Sequence, residues 1–139
     1  MANYNELTLG TSAPKKLGND VISKTVVVDF AVINDGNGVG AADTVEVIKL
    51  PKGAVVLDVV ANVITAEGGA ATVDLGITGS TTDFFSNLDI NATGVSSAAN
   101  DIVYSAAQTV ILTADTAATG AAKVHFSFVY AIDETLASA

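Results

Sequence analysis

The stretch that decides the fold runs from Pro51 to Ile77: Pro-Lys-Gly-Ala-Val-Val-Leu-Asp-Val-Val-Ala-Asn-Val-Ile-Thr-Ala-Glu-Gly-Gly-Ala-Ala-Thr-Val-Asp-Leu-Gly-Ile. Val55, Leu57, Val59, Ala61 and Val63 recur at every second position. Val56, Asp58, Val60, Asn62 and Ile64 fill the places between, where polar residues interrupt. Period two is the signature of a strand, here with one dry face and one mixed face. Glu67-Gly68-Gly69 breaks the run, and Ala71, Val73, Leu75 and Ile77 resume the alternation. Two alternating runs around a glycine turn predict a β-hairpin, which serves as the spine of the fold. Nothing in it is chemically reactive.

Similar runs lie on both sides. Lys24 to Ile33 predicts a strand with Val26, Val28, Phe30 and Val32 on one face and Thr25, Val27, Asp29 and Ala31 on the other. The segment from Asn34 to Gly40 is the densest loop signal in the chain. Thr44 to Leu50 is the next strand. Asp83 to Ile90 is short and apolar in the middle; it reads either as a helical turn capped by Asp83 or as Phe84 and Phe85 plugging one end of the fold. Asn91 to Asn100 reads as an excursion loop. Ile102–Tyr104 and Gln108–Ala114 are further strands. Ala121 to Ile132 gives the cleanest alternation, with Ala122, Val124, Phe126, Phe128, Tyr130 and Ile132 on one face and Lys123, His125 and Ser127 on the other.

About seven or eight short strands, with no sustained helical period, predict an all-β fold. The architecture expected is an antiparallel β-sandwich of jelly-roll type. Residues 1–21 are polar and turn-rich and predict an extended N-terminal arm; residues 22–139 form the sandwich domain. With 139 residues the chain is one domain, able to bury roughly two-thirds of its unfolded surface without cross-links.

Fifteen acidic residues face six lysines, there is no arginine, and the net charge is −9. That balance opposes direct binding to nucleic acid, whose affinity comes largely from phosphate neutralisation. It equally opposes docking on anionic membranes. The expectation is therefore no nucleic-acid partner and no membrane. The chain has no cysteine, hence no disulfide or thiolate chemistry. No run reaches the roughly 18 apolar residues of a membrane span. The start of the chain lacks the basic head and apolar core of a signal peptide, which predicts synthesis in the cytoplasm without that export route.

Candidate chemistry is sparse. His125 is the single histidine, and no Gly-x-Ser-x-Gly elbow or phosphate-binding loop occurs. Asp29, Asp58 and Asp74 sit in strands on the more polar faces and would line a groove only if those faces met. No catalytic residue and no cofactor site is assigned, and the chain is expected not to be an enzyme. Asp35, Asn37 and Asp43 resemble part of a calcium loop but lack the far-end bidentate glutamate. Asp and Gly also populate such loops for backbone reasons alone. Lys15 and Lys16 form the only positive cluster and are candidates for contact with a partner.

A family resemblance rests on four stretches: Leu50 to Val59, Thr72 to Ile77, Asp83-Phe84-Phe85, and Thr109 to Gly120 with the closing strand. Together, over roughly residues 44 to 132, they resemble small structural proteins of tailed bacteriophages. These include capsid decoration (cement or head-stabilising) proteins and related head-fibre or knob proteins. The resemblance implies a virion protein, made in the host cytoplasm, that trimerises on the outer capsid. It would bridge neighbouring major capsid subunits with an arm aiding attachment. Valine and isoleucine on both strand faces agree with subunit contact. The alternatives are a carbohydrate-binding or adhesin-type sandwich on a virion or cell surface, and a secreted calcium-dependent surface-layer domain.

Overall fold

Branching at Cβ suits valine, isoleucine and threonine to the pleated surface of a sheet, and all three are frequent in the chain. The computed structural model describes residues 21–36, 38–98, 101–115 and 120–137. They form nine strands in chain order: β1 (Ile22–Asp29), β2 (Thr44–Leu50), β3 (Ala54–Thr65), β4 (Thr72–Ile77), β5 (Ser80–Asp89), β6 (Gly94–Ala98), β7 (Ile102–Val103), β8 (Gln108–Ala114) and β9 (Lys123–Ile132). A single helical turn, α1 (Glu134–Ala137), follows.

The strands make two sheets. Sheet one has the order β1-β9-β3-β6, with β7 also on β3; sheet two has the order β2-β8-β4-β5. Every pairing is antiparallel. β6 pairs with Val59–Val63 of β3 and β7 with Val55 and Val56, so the two occupy one interrupted edge. The pairings nest. β4 meets β5 at the centre of the chain, β3 meets β6 and β7, β2 meets β8, and β1 meets β9. The chain is thus one long ribbon doubled back on itself and wrapped into an antiparallel β-sandwich, as expected for the class.

The core fills the space between the sheets. Phe30, Phe126, Phe128, Leu50, Leu75, Ile90 and Leu112 are its largest fully buried side chains. β9 supplies Val124, Phe126, Phe128 and Tyr130 in strict alternation, as its sequence predicts. Phe84 stands edge-on to both Phe128 and Tyr104, with centroids 6.2 and 6.4 Å away, an arrangement the ring quadrupoles favour.

Several expectations change. β3 and β4 do not form a hairpin; they lie in different sheets. The glycine turn is real, with Gly68 at φ +89°, but the link 66–71 spans the gap between layers. Sheets stack about 10 Å apart, twice the spacing of paired strands, so six residues fit the longer step better than a tight turn would.

The inward face of β3 also differs. Ala54, Val56, Val59, Ala61 and Val63 point into the core, whereas Val55 and Leu57 are only half-buried. The register shifts between Val56 and Asp58, where β3 carries one residue more than β9, and such a bulge reverses the alternation on one side of it. A like shift between Glu46 and Ile48 puts one extra residue in β2, and Val45, Val47 and Ile48 are all half-buried against the core.

Asp83–Ile90 is no helical turn. It belongs to β5, where Phe84 and Phe85 are both buried. The segment 91–100 contains the edge strand β6, too polar and glycine-rich to announce itself. β1 ends at Asp29 rather than Ile33, because a turn closes there: Val32 N donates to the Asp29 carbonyl at 3.2 Å and Ala31 N to Asp29 Oδ1 at 3.0 Å.

Candidate functional site

The incomplete calcium pattern falls in the connection from β1 to β2. Asp43 there holds a turn: Oδ2 accepts from Gly40 N at 3.0 Å, and its own N–H donates to the Gly40 carbonyl at 3.1 Å. Its carbonyl accepts from Ala114 N, which ties the turn to β8. Asp35 is exposed in the left-handed turn. Asn37 lies outside the described residues, as do Lys15 and Lys16. Among the described residues no group of three or more His, Asp or Glu side chains is placed to hold a metal.

The three strand carboxylates do not share a groove. Asp29 lies on sheet one, 3.7 Å from Lys123 Nζ, and also accepts from Ala31 N. Asp58 sits opposite Val129 on the same sheet's outer face, with Oδ1 occluded and unpartnered. Asp74 lies on sheet two, opposite Thr113. His125 is half-buried on the outer face of sheet one between Val27 of β1 and Asn62 of β3.

Two features escaped the sequence. Asp74 and Asp115, 41 positions apart, are brought within hydrogen-bonding reach of each other by the β4–β8 pairing. Thr72 Oγ1 donates to Asp115 Oδ2 at 3.3 Å, and Asn87 N donates to Asp74 Oδ1 at 2.8 Å. Burial raises the Asp115 pKa above 3.8, the neighbouring Asp74 raises it further, and the Thr72 hydroxyl opposes them. Glu67 is the second feature. Its carboxylate accepts the N–H groups of Gly120, Ala121 and Ala122 at 3.0, 3.1 and 2.9 Å, which pins the entry to β9 onto the link between the sheets. At the other end of the sandwich, Tyr104 donates its hydroxyl to Asp83 Oδ2 at 2.9 Å; burial and then Asp83 push that hydroxyl's pKa upward.

What remains is a contrast between two surfaces. The outer face of sheet two carries Glu46, Asp74, Asp89 and Asp115 against Lys49. The outer face of sheet one is mixed: Asp29 with its partner Lys123, Asp58, His125, Asn62, Thr25 and Ser127 alternate with Val27, Val60, Val95 and Val129. Val27, Val95 and Val103 are 51%, 67% and 52% exposed there, and Ile64, at the register shift near the end of β3, is 44% exposed. These are four of the six large apolar side chains that are exposed among the described residues. All seven aromatic side chains of the described residues are buried.

No protein-family model and no curated protein matches the chain. Solved structures do. A chain of the cyanophage Pam1 capsid asymmetric unit superposes with a TM-score of 0.64 at 20% identity, covering 95% of this chain and 99% of that one. A chain of the capsid of Ralstonia phage GP4 gives 0.61 at 22% identity, over 89% and 91%. A chain of the acidic stable capsid of Helicobacter pylori bacteriophage KHP30 gives 0.61 at 14% identity, over 81% and 88%. The shared property is the fold. It extends over nearly the whole of the Pam1 chain, so the sandwich here is comparable to that chain as a unit.

Proposed function

We propose that this chain is a non-enzymatic virion structural protein that decorates the outer capsid and stabilises it by bridging neighbouring major capsid subunits. The observation that carries the reading is whole-chain likeness to a chain of the Pam1 capsid asymmetric unit, with two further phage capsids supplying similar chains. The surfaces favour the same role. Asp29, Asp43, Asp83 and Glu67 are engaged in turns, ion pairs and clamps, so the polar chemistry in view serves the frame. In this reading the sandwich is of jelly-roll type, because the nested pairing is what two wrapped Greek keys produce. Residues 1–21 act as the arm, with Lys15 and Lys16 touching the major capsid protein, and the decorating unit is a homotrimer. Many weak contacts repeated by symmetry add avidity without a reactive centre.

A glycan-binding role would call for exposed rings on which sugars stack, and the described aromatics are buried. No observation favours it over the capsid role.

The test compares phage particles with and without this chain. Particles lacking it should release their genome at a lower temperature, and adding the purified protein back should restore the wild-type melting profile. Particles that melt identically with and without it would refute the role.

A further inference from the structure

We propose that a pocket in the connection from β1 to β2 receives a lysine or arginine side chain of the capsid partner. The proposal names one contact within the role given above and rests on that reading for the identity of the partner.

The pocket has a volume of about 340 Å³. That lies at the lower end of the range that holds a small organic group. Its apolar lining is Ile33, Val39 and Val45, and its polar lining includes Asn34, Asp43 and Thr44. Val39 is buried and Ile33 and Val45 are half-buried, whereas Asn34, Asp43 and Thr44 are exposed. The aliphatic part is therefore the deeper one, and the polar part forms the mouth.

Hydrogen bonds fix the walls. Gly38 N donates to the Ile33 carbonyl at 3.1 Å, and Asn34 Nδ2 donates to the Gly38 carbonyl at 3.4 Å. Asp43 Oδ2 accepts from Gly40 N, and Ala42 N donates to the Ala114 carbonyl at 2.7 Å, which ties the mouth to β8. Asn34, Asp35 and Gly36 are left-handed in succession, with φ of 57°, 54° and 87°. Asparagine and aspartate enter that region at a cost, and such strain persists where the surroundings impose it. The shape is thus set before a partner arrives, which lowers the ordering cost of binding.

Chemistry selects the occupant. A purely apolar side chain would strip water from Asn34, Asp43 and Thr44 and return no hydrogen bond. An anionic one would meet Asp43, with Asp35 in the adjoining turn and Asp115 next to Ala114. Of the described lysines, Lys123 is paired with Asp29, and Lys24, Lys49 and Lys52 lie toward the other end of the sandwich. The field at the mouth is therefore negative and draws a cation in. Asp43 Oδ1 accepts from none of the described residues. A lysine or arginine matches both halves of the pocket, since its stem packs on aliphatic surface while its charged head stays at the mouth. A copy of this chain is a poor donor: it has no arginine and six lysines, and its charge of −9 repels its twin.

The test follows the amide resonances of Val39, Thr44 and Val45 in the full-length, isotope-labelled protein. The probes are N-acetyl-lysine methylamide, N-acetyl-arginine methylamide and their uncharged norleucine counterpart. The two cationic probes should shift those amides and bind at least about threefold tighter than norleucine. Asp43→Asn keeps an acceptor for Gly40 N and removes the charge; it should weaken the cationic probes about threefold or more and leave norleucine unchanged. Thr44→Trp, at an exposed position of the mouth, should block all three. No shift up to about 50 mM probe overturns the proposal, and so does norleucine binding as well as lysine. Calcium alone moving the same amides at lower concentration than either cationic probe would also overturn it. Shifts there on Lys15→Gln or Lys16→Gln with no probe added would assign the pocket to the chain's own lysines and overturn the partner. Binding to capsids is scored separately. Protein that coats particles but ignores the cationic probes sinks only the pocket, and protein that binds the probes but never coats particles sinks only the capsid role.

Discussion

Asp115 gives the stability of the fold a pH dependence of predictable sign. Its pKa in the folded chain stands above 3.8 because burial and Asp74 both disfavour the charged form. Folding therefore binds its proton more tightly than the unfolded chain does. The contribution is fully present below the unfolded value of 3.8 and is lost as pH rises through the higher folded value. Asp115→Asn removes this titration while keeping an acceptor for Thr72. The variant should be more stable than wild type at neutral pH, and the gap should close as the pH falls to 3.8 and below. Urea titrations at a series of pH values would check it; a gap that does not narrow on acidification would contradict the assignment.

The same pair marks a limit of reading residues from sequence. Asp74 and Asp115 carry no shared motif, and only the β4–β8 register brings them together. Interior faces were far more legible. The inward residues of β9 follow from alternation alone, since β9 is long and its run of Val124, Phe126, Phe128 and Tyr130 is unbroken. β3 misled because a bulge after Val56 inserts one residue with no glycine to flag it. The same alternation pattern therefore placed Val55 and Leu57 inside when Val56 is the buried residue.

At the scale of elements, the two sheets are held in relation by the links between them, and Glu67 dominates one of these. Three backbone N–H groups converge on its carboxylate, and Ala122 N is part-buried. Hydrogen bonds to a charged acceptor are worth about 1.5–3 kcal/mol each when solvent cannot replace them. Because most of this site is open to water, Glu67→Ala should cost about 1.5–3 kcal/mol in total. The amides of residues 120–122 should lose hydrogen-exchange protection ahead of the rest of β9. Unchanged exchange at those amides would show that the clamp is idle.

This link is also where the predicted hairpin failed. Alternation identified β3 and β4 as strands and glycine identified the turn, yet neither reports which strand lies beside which. That choice belongs to long-range partners: β9 claims one edge of β3 while β6 and β7 claim the other, leaving no place for β4. β6 stayed hidden for a different reason. Gly94, Ser96 and Ser97 give no apolar period, and its place is earned through backbone hydrogen bonds to β3.

For the molecule as a whole, the nested pairing sets the folding problem. Only β4 and β5 meet across a short turn; β1 must find β9, with Thr25 bonding to Ser127 across 102 positions. Folds built from such distant pairings close long loops before contacts repay the cost, and they fold in milliseconds to seconds. Stopped-flow refolding should therefore show its main phase at about a millisecond or slower. A microsecond phase recovering full β signal would contradict the pairing order.

The register of β1 on β9 sets Ile22 directly opposite Tyr130. Strand neighbours of this kind have Cα atoms about 5 Å apart, so the start and finish of the sandwich share one corner. A short linker would join that corner and close the sandwich into a ring, the starting point for a circular permutation. For the same reason, a tag or tether placed before β1 and another placed after β9 would leave the sandwich side by side.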